Sequence, residues 1–194
     1  GVDTRSLTRY IRAEGAKRAL VTDSTENVAV LIEKLKQTPS MEGSHLVKEV
    51  STKEVFEWKA PSENLFKVAV VDCGVKFSIL EYLRQFGCQC TVFPYNVSAD
   101  RLLEADFDGV FISNGPGDPE PVHEVVSIIQ QVIGKLPLFG ICLGHQLLGL
   151  ALGLKTYKLK FGHHGANHPI KNLETERVEI TSQNHGFCVQ LDPV

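Results

Sequence analysis

The segment LPLFGICLGHQLLGLALG, residues 136–153, constrains this chain more tightly than any other. An apolar run leads into Cys142, and an uninterrupted apolar stretch from Leu147 to Leu152 follows almost at once. The first reads as a buried strand and the second as a helix, so one tight turn must join them. Gly140 and Gly144 stand two residues to either side of the cysteine. This G-x-C-x-G frame is the strand–turn–helix arrangement of a nucleophile elbow, with sulfur in place of oxygen. Glycine is required there because the turn brings backbones together and leaves no room for side chains. The turn also leaves Cys142 beside the first N–H groups of the helix, which predicts a lowered thiol pKa. The N–H of Leu143 would face an oxyanion forming on an attacked carbonyl. A lone cysteine is more often a small, inert core residue. The glycine frame and the polar His145-Gln146 pair behind it make Cys142 the candidate nucleophile instead.

An elbow needs a sheet, and the sequence supplies one after Phe66. KVAVVD (67–72), CQCTVFPY (88–95), DGVFIS (108–113) and LPLFGI (136–141) are runs of β-favouring apolar residues. Helical patterns separate them, from about Lys76 to Phe86 with Gly87 as the stop, and from Val122 to Ile133. Alternating apolar strands and amphipathic helices predict an α/β, doubly wound, mostly parallel sheet covered on both faces. Ligands of such folds gather at the carboxyl ends of the strands, where SNGPGDP (113–119) and CLGH (142–145) both fall. Ahead of the sheet, Asp3 can cap a helix that stops at Gly15, a short strand is expected over RALVT (18–22), and a second helix over Thr25 to Gln37 ends before Pro39. KEVFEWK (53–59) alternates, and the polar APSEN segment after it marks a linker at 59–65.

Composition narrows the class. The 194 residues could fill one large domain or two small ones, and 43% hydrophobic content is enough for a real core. Twenty basic and 23 acidic residues leave a formal charge of -3, which gives no electrostatic basis for binding nucleic acid or an anionic membrane. No apolar run approaches the roughly 18 residues that span a bilayer. The five cysteines are odd in number and lack CxxC spacing, so neither a disulfide framework nor a zinc ribbon is expected, and a reducing, cytoplasmic setting fits. Cys88 and Cys90 should share a strand face as small buried groups. His163, His164 and His168 sit among glycines in what reads as a flexible loop, and no metal is expected there. His145 is read as support for the turn, His185 as part of a polar loop, and His45 and His123 as solvated surface residues. Because the chain opens on Gly1 and closes on LDPV, it is expected to be an excerpt of a longer polypeptide.

GICLGHQ (140–146) resembles the nucleophile motif of the class I glutamine amidotransferases, and SNGPGDP is similar to that family's glycine-rich loop opposite the cysteine. GVDTRSLTR (1–9), FGHHGANHPI (161–170) and TSQNHGF (181–187) resemble segments of its carbamoyl phosphate synthase branch. The resemblance implies a flavodoxin-like amidotransferase domain over 66–194, preceded at 1–58 by the carboxyl part of a smaller α+β domain. It implies that Cys142 attacks the side-chain amide of glutamine to form a thioester. Leu143, Gly115 and Gly117 would supply the oxyanion hole. Gly115, Gly117, Leu143, Gln146, Asn184, Gly186 and Phe187 match positions that hold glutamine. The implied partner is the carbamoyl phosphate synthase large subunit, which would use ATP and a divalent metal; no cofactor is implied for this chain.

One departure matters. The family's general base is a histidine in an H-P-E motif, which these 194 residues lack; it is expected beyond Val194, and the chain alone is expected to be inactive. Two alternatives stay open: an amidotransferase serving another synthetase, which GVDTRSLTR argues against, and an inactive regulatory or binding homologue, which Cys142 with both its glycines argues against.

Overall fold

The computed structural model describes residues 1–60, 62–63 and 65–191. Residues 61 and 64 of the expected linker, and the last three of the expected 66–194 domain, lie outside the described residues. In chain order the elements are α1 (Thr4–Glu14), α2 (Val28–Gln37), α3 (Val47–Val50), β1 (Phe56–Glu57), β2 (Phe66–Asp72), α4 (Phe77–Gln85) and β3 (Cys88–Pro94). Then follow α5 (Ala99–Leu103), β4 (Gly109–Ile112), α6 (His123–Val132), β5 (Leu138–Gly140), α7 (Leu143–Ala151), β6 (Lys155–Lys171) and β7 (Val178–Gln190). The described residues form two compact units, one within 42–157 and 187–191, the other of residues 1–41 and 158–186.

In the larger unit the four apolar runs become parallel strands. The sheet order is β1-β3-β2-β4-β5, with β1 antiparallel at one edge. β2 pairs with β3 from Phe66↔Cys88 to Asp72↔Pro94, and with β4 from Val68↔Gly109 to Val71↔Ile112. β4 pairs with β5 from Val110↔Leu138 to Ile112↔Gly140. Successive residues of β2 bury on opposite faces, as a strand's period of two requires. Ala69, Val71 and Cys73 join Leu102, Val125, Ile129, Leu143 and Leu147 in one core. Val70 joins Leu80, Cys90, Val92 and Phe111 in the other. With each Val or Leu side chain contributing roughly 1.5–3 kcal/mol on full burial, both faces of the sheet must be covered. That is the doubly wound arrangement expected from the sequence. Cys88 and Cys90 share a face, as expected. The chain leaves β2 toward β3 on one side and returns to β4 on the other, so the carboxyl ends of β2 and β4 flank the switch point where such sheets bind ligands.

In the smaller unit, Asp3 caps α1: its carboxylate accepts the Ser6 N–H at 3.0 Å and the Ser6 hydroxyl at 2.7 Å. Gly15 ends the helix at φ 87°, as its position in the sequence predicts. Other expectations are corrected. Residues 18–22 form no strand, because a β-favouring run makes a strand only against a sheet neighbour; Val21 is 96% exposed. The histidine-rich stretch expected as a flexible loop lies within β6, a strand of 17 residues that pairs with β7. The expected polar loop 182–186 lies within β7. In the larger unit, His45 is not a solvated surface residue. Its side chain is 15% exposed, its ring meets Tyr95 edge-on at 5.5 Å, and its Nε2 lies 3.2 Å from the Glu124 carboxylate.

Candidate active site

Cys142 sits at φ 53°, ψ -109°, between β5 and α7. A non-glycine residue with positive φ is strained, by roughly 1–3 kcal/mol, and persists only where its surroundings over-determine it. Here they do. The Gly144 N–H donates to the Ile141 carbonyl at 2.9 Å, the Gln146 N–H to the Cys142 carbonyl at 3.1 Å, and the Ile141 N–H to the Ile112 carbonyl at 3.3 Å. A Cβ on Gly140 would stand 2.5 Å from the Gly144 carbonyl carbon, and one on Gly144 would overlap the Ile112 carbonyl oxygen. Both glycines of the G-x-C-x-G frame are therefore required by close backbone approach, one within the turn and one against the neighbouring strand. The elbow expected from the sequence is present, with the thiol half-buried at its apex.

The electrostatics differ from expectation. Burial pushes the Cys142 thiol above its ordinary value of 9.0, and the Leu143 N–H, bonded to it, offsets that only in part. The helix terminus does favour the thiolate, but desolvation of a half-buried sulfur is the larger effect.

The glycine-rich loop that follows β4 lies against the elbow. A Cβ on Gly115 would stand 2.7 Å from the Leu143 Cδ2 and would overlap the Cys73 carbonyl oxygen on its other side. Gly117, at φ 92°, has the Ser44 carbonyl 3.1 Å from its Cβ position. The buried Asp118 closes the loop, accepting N–H groups from Gly43 at 2.8 Å and Glu120 at 3.0 Å. Gln146 is buried on the first turn of α7, and its Nε2 donates to the Phe187 carbonyl at 2.8 Å. Cys142, Leu143, Gln146, Gly115 and Phe187 are thus linked in one neighbourhood of the larger unit. Asn184 and Gly186 belong to the smaller unit, where the Asn184 Oδ1 lies 2.7 Å from the His164 Nδ1. His185 there lies 3.3 Å from His163 and 3.0 Å from Gln183. His145 is exposed.

Sequence reasoning did not find a second loop at the switch point, residues 72–76 after β2. The Cys73 N–H donates to the buried Ser113 hydroxyl at 2.8 Å, and Asn114 bonds the Gly74 carbonyl and the Lys76 N–H, each at 3.0 Å. The only signal was position: an aspartate, a serine and an asparagine at strand ends, where side chains meet the ligand crevice.

Strained backbone at a strand–helix elbow holds the Cys142 thiol beside an N–H donor and a glycine loop, the arrangement that a cysteine nucleophile requires. A family profile described as Glutamine amidotransferase class-I matches residues 69–193, and the chain belongs to that family. Among curated proteins it is 49% identical over 197 residues to the carbamoyl phosphate synthase small chain of Methanopyrus kandleri, covering all of this chain and 53% of that one. It is 48% identical to the carbamoyl phosphate synthase small chain of Pasteurella multocida, covering 97% of this chain and 52% of the other. The chain spans about half the length of these relatives. A solved glutamine amidotransferase from Thermotoga maritima shares the fold at 19% identity and a TM-score of 0.51, covering 65% of this chain and 63% of that one. No helix among the described residues is long and apolar enough to cross a membrane.

Proposed function

We propose that this chain carries the nucleophile of the glutamine-hydrolysing component of a carbamoyl phosphate synthase. The Cys142 sulfur attacks the side-chain amide carbon of glutamine, and the carbonyl electrons move to oxygen. The N–H groups of Leu143 and the Gly115–Gly117 loop receive that charge, each such donor being worth roughly 3–4 kcal/mol in the transition state. Collapse expels ammonia, whose nitrogen takes up the proton removed from the thiol, and leaves a thioester, which water cleaves to glutamate and the free thiol. Gln146, Asn184, Gly186 and Phe187 are assigned to holding the substrate. Because burial keeps the Cys142 thiol protonated near neutral pH, a base must take its proton. The H-P-E histidine used by the family is not among these 194 residues, so the base is assigned to another part of the full-length protein.

The ammonia goes to a large subunit that consumes ATP with a divalent metal, in the cytoplasm, for pyrimidine and arginine synthesis. This chain's own step uses no cofactor. The domain division drawn from the sequence, at 1–58 and 66–194, belongs to the same proposal. The observation that carries the reading is the strained elbow at Cys142 with the Gly115 loop packed on Leu143. Its test is covalent labelling of the full-length protein with 6-diazo-5-oxo-norleucine. Cys142 should be modified and the Cys142→Ser variant spared; unchanged labelling of that variant overturns the assignment.

A further inference from the structure

We propose that Asp72 is a positioning residue for the oxyanion loop, acting through the turn at residues 73–76; this rests on the function proposed above. Asp72 ends β2 and is only 5% exposed. Burying a carboxylate is costly unless its oxygens are bonded, and here both are. Oδ1 accepts the N–H groups of Gly74 at 2.8 Å and Val75 at 2.7 Å, while Oδ2 accepts the Thr52 N–H at 2.7 Å. No cation lies within ion-pair reach of it among the described residues. The carboxylate therefore serves the backbone, and the backbone it serves is the wall of the candidate site.

That wall is joined to the glycine loop through Cys73, Gly74 and Lys76. Cys73 donates to Ser113, Asn114 bridges Gly74 and Lys76, and the Ser113 hydroxyl donates to the Asn114 carbonyl at 2.8 Å. Gly115 is wedged between the Cys73 carbonyl and the Leu143 side chain so closely that neither side admits a Cβ. Gly74 in turn is fitted against Pro116, whose Cδ lies 3.1 Å from its Cβ position. The direction of the Gly115 N–H is thus set by where the 73–76 turn lies, and two of the bonds that fix this turn end on one oxygen of Asp72. A donor a fraction of an ångström out of place loses much of its effect on a developing charge.

Substitution separates the two oxygens. Asp72→Asn can keep an acceptor toward Gly74 and Val75 and gives up the bond to Thr52, whereas Asp72→Ala gives up all three. The experiment compares glutaminase kinetics of these variants and of Asn114→Ala in the full-length protein with the rate at which iodoacetamide alkylates Cys142, a displacement that forms no oxyanion. The expected result for Asp72→Ala is a fall in kcat of about 100-fold, the loss typical of one oxyanion donor, with KM within about threefold. Alkylation should proceed at the wild-type rate, and Asp72→Asn should recover kcat to within about tenfold of wild type. A folded Asp72→Ala with kcat within about threefold of wild type overturns the proposal, as does a parallel loss of alkylation, which would mean the elbow itself had moved. Should Asp72→Ala not fold, Asn114→Ala decides: a fall in kcat with alkylation preserved supports the proposal, and anything else overturns it. Wild-type protein without glutaminase activity would instead refute the function on which the proposal rests.

Discussion

Cys142 and Cys90 are both raised in pKa by burial, yet their surroundings lead to different chemistry. Cys90 lies in the middle of β3 with its thiol pushed up to about 12, whereas Cys142 is half-buried on strained backbone. A thiolate is the reacting form, so a raised pKa makes alkylation of Cys142 climb about tenfold per pH unit through neutrality and past 9. A lowered pKa would instead give a plateau near or below pH 8. Site-resolved mass spectrometry of iodoacetamide-treated full-length protein across that range separates the two; a plateau would mean that a positive group, not in these residues, sits beside the sulfur. Cys90 and the fully buried Cys73 should stay unmodified in the native state. The same shifts carry a sign for stability. In the unfolded chain a thiol ionises near 9, while folded Cys90 holds its proton to about 12. Above 9 the unfolded state therefore binds fewer protons, and stability should fall as pH rises from there.

At the scale of elements, α7 performs two tasks at once. Its Leu143 and Leu147 fill the core shared with β2, β4 and α6, and its first turn carries the N–H beside the sulfur. Leu147 is fully buried, so Leu147→Ala should cost about 2–5 kcal/mol, read as a lower denaturant midpoint with an unchanged slope. A loss under 1 kcal/mol would show that the helix is not seated as described. These central elements were legible in the sequence because their signals are local. KVAVVD and DGVFIS are apolar runs that a parallel sheet buries on both faces, and the Cys142 frame lies within a few residues of itself. LPLFGI, expected as a buried strand, is instead the edge strand β5, where Phe139 is 65% exposed because no further strand pairs beside it among the described residues. Elements whose existence depends on a partner were not legible. RALVT has the composition of a strand but no sheet neighbour, and the glycines around His163 and His168 hid a strand that pairing with β7 sustains. The site divides in the same way. Cys142, Leu143 and Gly115 could be named from motifs, whereas Asp72 and Asn114 act through bonds to segments 20 and 38–40 residues away, which no local pattern displays.

For the whole molecule, the proposed division of labour makes the nucleophile dispensable when its product is supplied. Cys142 would serve only to release ammonia from glutamine, and nothing in its geometry concerns the later, ATP-dependent steps. The Cys142→Ser substitution exchanges one atom at the apex of the elbow and leaves Gly140, Gly144 and the Ile141, Ile112 and Gln146 backbone bonds in place, so the fold should survive it. In the full-length protein assembled with the large subunit proposed above, this variant should lose glutamine-dependent carbamoyl phosphate synthesis by at least about 100-fold, since oxygen without a matched base is a poor substitute for the nucleophile. Synthesis from added ammonium salt should stay within about twofold of wild type. The measurement is carbamoyl phosphate formed from each nitrogen donor at equal enzyme concentration. Loss of both activities would show that Cys142 supports the assembly rather than the hydrolysis of glutamine, and retention of both would remove it from the chemistry altogether. Gly144→Ala is the contrasting variant, because its Cβ would overlap the Ile112 carbonyl oxygen and displace elbow and sheet together. Ammonia-dependent synthesis should then fall along with the glutamine-dependent activity.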